Sequence, residues 1–301
     1  MGQTKLLFET KGFRGKNNLS DPARVLPAGK GSYLTASLNV DIDDALMAHR
    51  RSGFAAASYS GSAIHSLWGN GDVCLFIQGA DLKRLNADYS AATLRAGVGA
   101  GRMNYVEVNG IIYYTNDAAI GFVKDGVDKS FTDPLKTYKT PMGPGHLIEY
   151  FNSRIYVARD NTIWFSDPVA LGRTDMRRNF KQLSSYVTLL KAVDDGIFCA
   201  DLNQTYFLAG GDPNKFVLAK RADYGAILGT QTTAFAEKIG GYRGSGRVAL
   251  WASEYGICLG GNEGVFINLT REHYRIPGQK SGSAIVRNVG DYSQLLITTW
   301  E

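Results

Sequence analysis

The chain has 301 residues, 44% of them apolar and 11% aromatic, with a formal net charge of +5 and a pI near 9.0. That is enough to bury a large core, but no apolar run approaches the roughly 18 to 20 residues of a membrane span, and the start MGQTKLLFETKGFRGKNN lacks the long apolar core and cleavage site of a secretion signal. Three cysteines, an odd number spread far apart, argue against a disulfide framework, and the mild positive excess fits a polyanionic partner without requiring one.

Residues 1–60 form a first unit, opening with a Gly-, Asn- and Pro-rich arm. Such a segment cannot bury enough apolar surface by itself, so it is expected to drape over the rest of the chain or over a neighbouring subunit. Phe13, Arg14, Lys16, Asn17 and Asn18 are its candidate interface residues. NVDIDDALMAHRRSGF then reads as a strand, an acidic turn and a return strand. Asp41, Asp43 and Asp44 alternate as calcium ligands do, but no loop glycine or terminal glutamate follows, and a polar turn is the better reading.

Residues 61–301 carry a rhythm of six apolar hairpins. They begin at His65, Tyr105, Ile148, Leu190, Leu250 and Ala284, each with Val, Ile, Leu, Phe and Tyr on both sides of an Asn, Asp or Gly turn. Asn70-Gly71, Asn109-Gly110 and Asp195-Gly196 read as type I′ turns, whose twist matches that of the strands they join. From Gly71 the steps to Gly110, Ser153 and Gly196 are 39, 43 and 43 residues, and those to Gly256 and Gly290 are 60 and 34. A period near 40 to 45 with four strands per unit is the sequence form of a propeller blade. The expectation is an all-β, β-propeller-like array of about five or six antiparallel blades with an extended N-terminal arm, and an insertion in the long fourth step.

Two basic groups interrupt the rhythm. Arg173, Arg177, Arg178 and Lys181 crowd LGRTDMRRNFK, and Lys124, Lys129, Lys136 and Lys139 lie in the long connection KDGVDKSFTDPLKTYKTPMGPG, whose prolines and glycines mark it as irregular. They read either as solvated loops or as a positive rim facing nucleic acid or an acidic subunit. Cys74, Cys199 and Cys258 fall just past hairpin turns and read as small core residues on equivalent strands. His49, His65, His146 and His273 are widely separated and read as surface or interface residues; no metal or other cofactor is expected. GGYRGSGR from Gly240 lacks the Lys-Ser/Thr ending of a phosphate loop and reads as a flexible loop.

The arm FRGKNNLSDPARV, the Asn39-Val40 strand, the Arg51-Ser52-Gly53 turn, IWFSDP at 163–168, VTLLKAVDDGIFCADLNQTYFLAGGDP at 187–213 and GAILGT at 225–230 occur in an order that resembles bacteriophage head-to-tail proteins, the packaged-DNA stabilisation, tail hub or tail nozzle proteins. The resemblance implies a non-enzymatic virion protein. It would form a ring of identical subunits, six by analogy, below the portal and adaptor, touching double-stranded DNA non-specifically as it is retained and ejected. The alternative from the residues alone is a monomeric propeller that binds a glycan or protein ligand, with or without hydrolysis.

Overall fold

Five four-stranded antiparallel sheets follow one another along the chain, each using its strands in sequence order. The computed structural model describes residues 13–20, 32–38, 40–42, 45–50, 59–134, 137–239, 242–289 and 292–301; Asn39, Asp43, Asp44, the Arg51-Ser52-Gly53 turn and Lys136 lie outside them. Blade 1 comprises Ile64–Gly69, Cys74–Gln78, Asp81–Leu85 and Ala91–Arg95. Blade 2 comprises Asn104–Val108, Ile111–Thr115, Ile120–Lys124 and Val127–Lys129. Leu147–Phe151, Arg154–Arg159, Thr162–Phe165 and Phe180–Gln182 form blade 3. Blade 4 is Leu189–Ala192, Gly196–Ala200, Thr205–Ala209 and Val217–Ala222. Blade 5 is Thr232–Phe235, Arg247–Ser253, Gly256–Gly260 and Phe266–Asn268.

The chain is therefore an all-β propeller. After blade 5 comes a two-stranded ribbon, Ser281–Val289 paired with Tyr292–Trp300. Near the N-terminus Phe13–Lys16 pairs in parallel with Ser32–Leu34, and Val40–Ile42 pairs antiparallel with Ala48–Arg50. Among the described residues no helix is long and apolar enough to cross a membrane.

Alternation along the strands creates a buried seam between each blade and the next. Leu75, Ile77 and Leu82 of blade 1 meet Ile112, Tyr114 and Val123 of blade 2. Tyr113 meets Ile148, Ile155 and Val157 of blade 3. The seam between blades 3 and 4 is the most aromatic, with Tyr156, Phe165 and Phe216 beside Leu190, Ile197 and Leu208. Phe198 and Phe207 then pack on Trp251, and Val248, Leu250 and Leu259 carry Val286 and Leu295 of the ribbon. Each such large side chain taken from water contributes about 1.5 to 3 kcal/mol, so the stability lies in the seams rather than in any single sheet.

The turn chemistry differs in part from expectation. Asn109-Gly110 has the paired positive φ of a type I′ turn, 52° and 74°. At the first hairpin only Gly71 is positive, and Asn70 instead caps a longer loop by accepting bonds from the Asp72 and Val73 amides. Gly196 is not a turn residue at all: it lies in a strand where an added Cβ would meet the Phe207 ring and come within 2.6 Å of the Leu208 carbonyl. Conversely, Asn152-Ser153 adopts positive φ at both positions, 45° and 60°, without glycine.

The long fourth step has two causes. The Gly256 hairpin joins the second and third strands of blade 5, whereas the four before it join first and second strands. In addition, the connection between the first two strands of blade 5 holds a short 3-10 turn, Ala236–Lys238, and residues 239–246. The same shift corrects the cysteine reading: Cys74 and Cys199 lie on second strands and Cys258 on a third, and Cys74 is only half-buried.

Candidate functional site

The first strand of blade 3 neighbours the first strands of both blade 2 and blade 4, which puts the first strands innermost. All begin at one end of the propeller, the entry end, and first and third strands both run toward the other, the turn end. At the entry end a belt of polar contacts links blade to blade. Ser66 Oγ accepts the Met103 amide at 2.9 Å, Asn104 Nδ2 donates to the His146 carbonyl at 2.6 Å, and His146 Nε2 donates to the Val187 carbonyl at 2.7 Å. Thr188 Oγ1 accepts from the Ala226 amide, and the Gly282 amide donates to the Leu228 carbonyl.

His146 is thus buried rather than a surface residue, stacked on Tyr186 with centroids 4.2 Å apart. A carbonyl only accepts, so Nε2 carries the ring proton and Nδ1 is a bare lone pair, 4.0 Å from Asp117 and without a hydrogen bond. Burial lowers the imidazole pKa, outweighing the Val187 hydrogen bond and the fields of Asp117 and Asp160. Among the described residues no group of three His, Cys, Asp or Glu side chains could hold a metal ion.

The turn end collects most of the basic candidates. Asp167, of the IWFSDP stretch, receives Lys139 Nζ at 2.6 Å and Arg173 Nε at 3.0 Å, joining the two basic groups of the sequence at one carboxylate. Burial pushes that carboxyl up, but the hydrogen bonds from Lys139 and Arg173 outweigh it and hold it below its ordinary range. Arg173 also donates to the Pro134 carbonyl. Lys139 and Arg173 are therefore internal struts, each with its side chain 15% exposed.

The next carboxylate, Asp175, is 1% exposed and takes a fork of two bonds from Arg177, at 2.9 and 2.8 Å, with Arg178 Nε at 3.4 Å. The hydrogen bonds from Arg177 hold its carboxyl far below the ordinary carboxylate range. Arg177 also lies over the Tyr138 ring, 4.0 Å from the centroid. Yet the Arg177 and Arg178 side chains stay 60% and 68% exposed. The result is a pair of outward-facing guanidiniums whose bases are fixed, unlike lysines on a mobile loop.

Lys181 donates to the carbonyls of Asn214 and Phe216 and ties blade 3 to blade 4. Lys124 and Lys129 lie on paired strands of blade 2 rather than in an irregular connection, because the chain turns at Asp125-Gly126 and returns as the outer strand; Lys124 ends the third strand at the turn end, and both are exposed. Lys136 lies outside the described residues.

The turn end also bears an open groove of about 390 Å³ lined by Tyr150, Asn152, Asp194, Asp195, Gly210 and Arg247, among others. Arg247 Nε donates to Asp194 Oδ1 at 3.0 Å, and Asp195 accepts the Glu263 amide, so its charged rim is largely tied to the protein itself.

The arm candidates dock on their own chain where described. Phe13–Lys16 forms the parallel strand pair, Arg14 is exposed, and Lys16 lies over the Tyr274 ring at 5.9 Å. Asn17 is buried and caps the Leu19 and Ser20 amides. Asn18 exchanges side-chain bonds with the Arg275 backbone and donates its amide to the His273 carbonyl. Nothing local to Asn18 marks its docking site, more than 250 positions away, and nothing marks the belt, whose members are single polar residues near strand starts.

No family model matches the chain, and no curated protein is detectably similar to it. Solved structures with a similar strand arrangement include the WD40 β-propeller domain of Doa1, with 12% identity, 74% of each chain covered and a TM-score of 0.47. The Neurospora crassa Pan2 WD40 domain has 9% identity over 77% of this chain and 71% of that one, with a TM-score of 0.46. The N-terminal domain of Nup159 has 10% identity over 78% and 73%, with a TM-score of 0.48.

Proposed function

We propose that this propeller is a non-enzymatic virion protein of the bacteriophage head-to-tail or tail nozzle kind. In this reading several copies form a ring, six by analogy, around the DNA exit channel, and the turn end presents Arg177 and Arg178 to passing phosphates or to an acidic neighbour in the assembly. The observation that carries it is the pinning of those two exposed guanidiniums on the buried Asp175. A channel surface must meet phosphate without gripping it, and two fixed charges with no base-reading element suit that task. Lys124 and Lys129 would add diffuse charge beside them.

The test is binding of the assembled protein to double-stranded DNA of random sequence as a function of salt. Weak, sequence-independent binding whose salt slope drops by roughly two on replacing both arginines is expected, since each lost phosphate contact removes about 0.9 from the slope. Binding that is absent, or unchanged in the double variant, contradicts the role given to the pair.

A second reading is favoured by the groove at Tyr150, Asn152, Asp195 and Arg247: its half-exposed aromatic ring and mixed donors and acceptors suit a sugar. A monomeric protein that binds glycans and ignores DNA would support it over the first.

A further inference from the structure

Among the described residues, Arg102 is the one side chain at the entry end that reaches across to the C-terminal ribbon. It sits in the connection from blade 1 to blade 2, and that connection is itself held rigidly: Asn116 Nδ2 donates to the Val98 and Gly101 carbonyls, and Ser66 holds the Met103 amide. From there the guanidinium donates to the carbonyls of Gly282 and Gly229, the latter at 2.9 Å, and approaches Ser283 Oγ at 3.4 Å. Its acceptors are backbone carbonyls and a hydroxyl, none of them a carboxylate, and burial lowers its pKa with no opposing charge.

The two flanks of the ribbon are held differently. Toward blade 5 it has the Leu228–Ser281 bridge and an apolar seam in which Val286, Leu295 and Ile297 pack on blade 5 and its lead-in. Toward blade 1, among the described residues, no apolar cluster includes a ribbon residue. Among the described residues the ring of apolar seams is thus interrupted there, and Arg102 spans the gap.

We propose that Arg102 is a clasp: it closes the propeller at the seam between the ribbon and blades 1 and 2, and its release lets the ribbon part from that side while staying attached to blade 5. Hydrogen bonds from one charged group close this seam in place of a packed core, and such bonds break without exposing apolar area. The seam is therefore the lowest-cost opening of the ring.

Hydrogen exchange on the full-length protein, read by mass spectrometry, tests this with Arg102→Met, which keeps the length and removes every donor, and with Gly229→Ala. Gly229 has a φ of +83°, and a Cβ there would collide with the Arg102 guanidinium and come within 2.6 Å of the Gly282 carbonyl, so the second variant displaces the clasp from its acceptor side and presses on the start of the ribbon as well. Both variants should exchange faster over 281–289, roughly ten- to hundredfold, the weight of hydrogen bonds to a charged group. Exchange in the first strands of blades 3 and 4 should stay unchanged. Unaltered protection at 281–289 in either folded variant, or equal acceleration in all blades, would overturn the proposal. Arg102→Lys, retaining charge and one reachable acceptor, should fall between wild type and Arg102→Met. If Arg102→Met does not fold, Arg102→Lys decides, and protection at 281–289 equal to that of the wild type overturns the proposal.

Discussion

Lys191 Nζ lies 2.8 Å from Glu149 Oε2, across the seam between the first strands of blades 4 and 3, with the side chains only 19% and 5% exposed. A charge pair so placed is costly to form and more costly to break, because removing one partner strands the other in a poorly solvated site. Glu149 also accepts its own neighbour's amide, from Tyr150, so its second oxygen is held as well. Lys191→Met should lower unfolding free energy by about 3 to 5 kcal/mol in urea titration, whereas the double variant with Glu149→Leu should recover most of that loss. Equal losses in the single and double variants would show that the pair does not act as a unit.

His146 gives the fold a pH dependence of defined sign. Burial lowers its folded pKa below the unfolded value of 6.5, so the unfolded chain binds the proton more readily. Stability is then complete above about pH 6.5 and falls as pH drops through the window down to the folded pKa. His273, lowered by burial too, adds a slope of the same sign. Urea midpoints measured from pH 7.5 to 5 should decline, and His146→Gln should flatten the decline without removing it. A midpoint that rises on acidification contradicts the assignment.

A second acid window belongs to Asp167 and Asp175, whose folded values lie below the ordinary carboxylate pKa. Their contribution is present above the unfolded value, near 3.8, and is lost as pH falls below it. Asp175→Asn keeps the size and hydrogen-bonding oxygen but removes the charge that gathers Arg177 and Arg178. DNA binding by this variant should become weaker, with a salt slope no steeper than that of the wild type, even though one negative charge has been removed from the basic face. Tighter binding, the outcome expected from net charge alone, would show that the pinning is irrelevant.

Gly196 makes a packing prediction. Because Phe207 lies where a Cβ would be, Gly196→Ala should destabilise the protein by about 1 to 3 kcal/mol through overpacking, despite the favourable backbone effect of alanine in a strand. The check is a thermal or urea midpoint; a neutral or stabilised variant would mean that the Phe207 ring moves freely aside.

The propeller was legible because its signal is repeated: alternating apolar residues on both sides of a turn occur often enough that errors at single turns do not matter. Asn109-Gly110 was read correctly from two residues, since only backbone sterics decide it. Asp195-Gly196 was misread because Phe207 and Leu208, residues on another strand, set the demand for glycine. The basic residues were legible as charges but not as struts, because Asp167 lies 28 positions from Lys139, and nothing local to either marks the pairing. The surface on which the arm drapes was hidden for the same reason, the partners of Asn18 being at 273 and 275.

The arm carries a prediction about assembly. Deleting residues 1–20 removes the bonds of Asn18 to His273 and Arg275 but no blade strand, so the propeller should remain folded with a modestly lower midpoint, while ring formation or virion incorporation is lost. Normal assembly of the truncated chain would confine the arm to an intramolecular role.

The central claim, a ring-forming head-to-tail subunit, is tested most directly by the mass of the full-length protein in solution, alone and mixed with portal or adaptor rings, by light scattering with negative-stain imaging. The account predicts closed rings of several copies, six by analogy, formed alone or templated on those rings. A strictly monomeric protein that ignores them would contradict it.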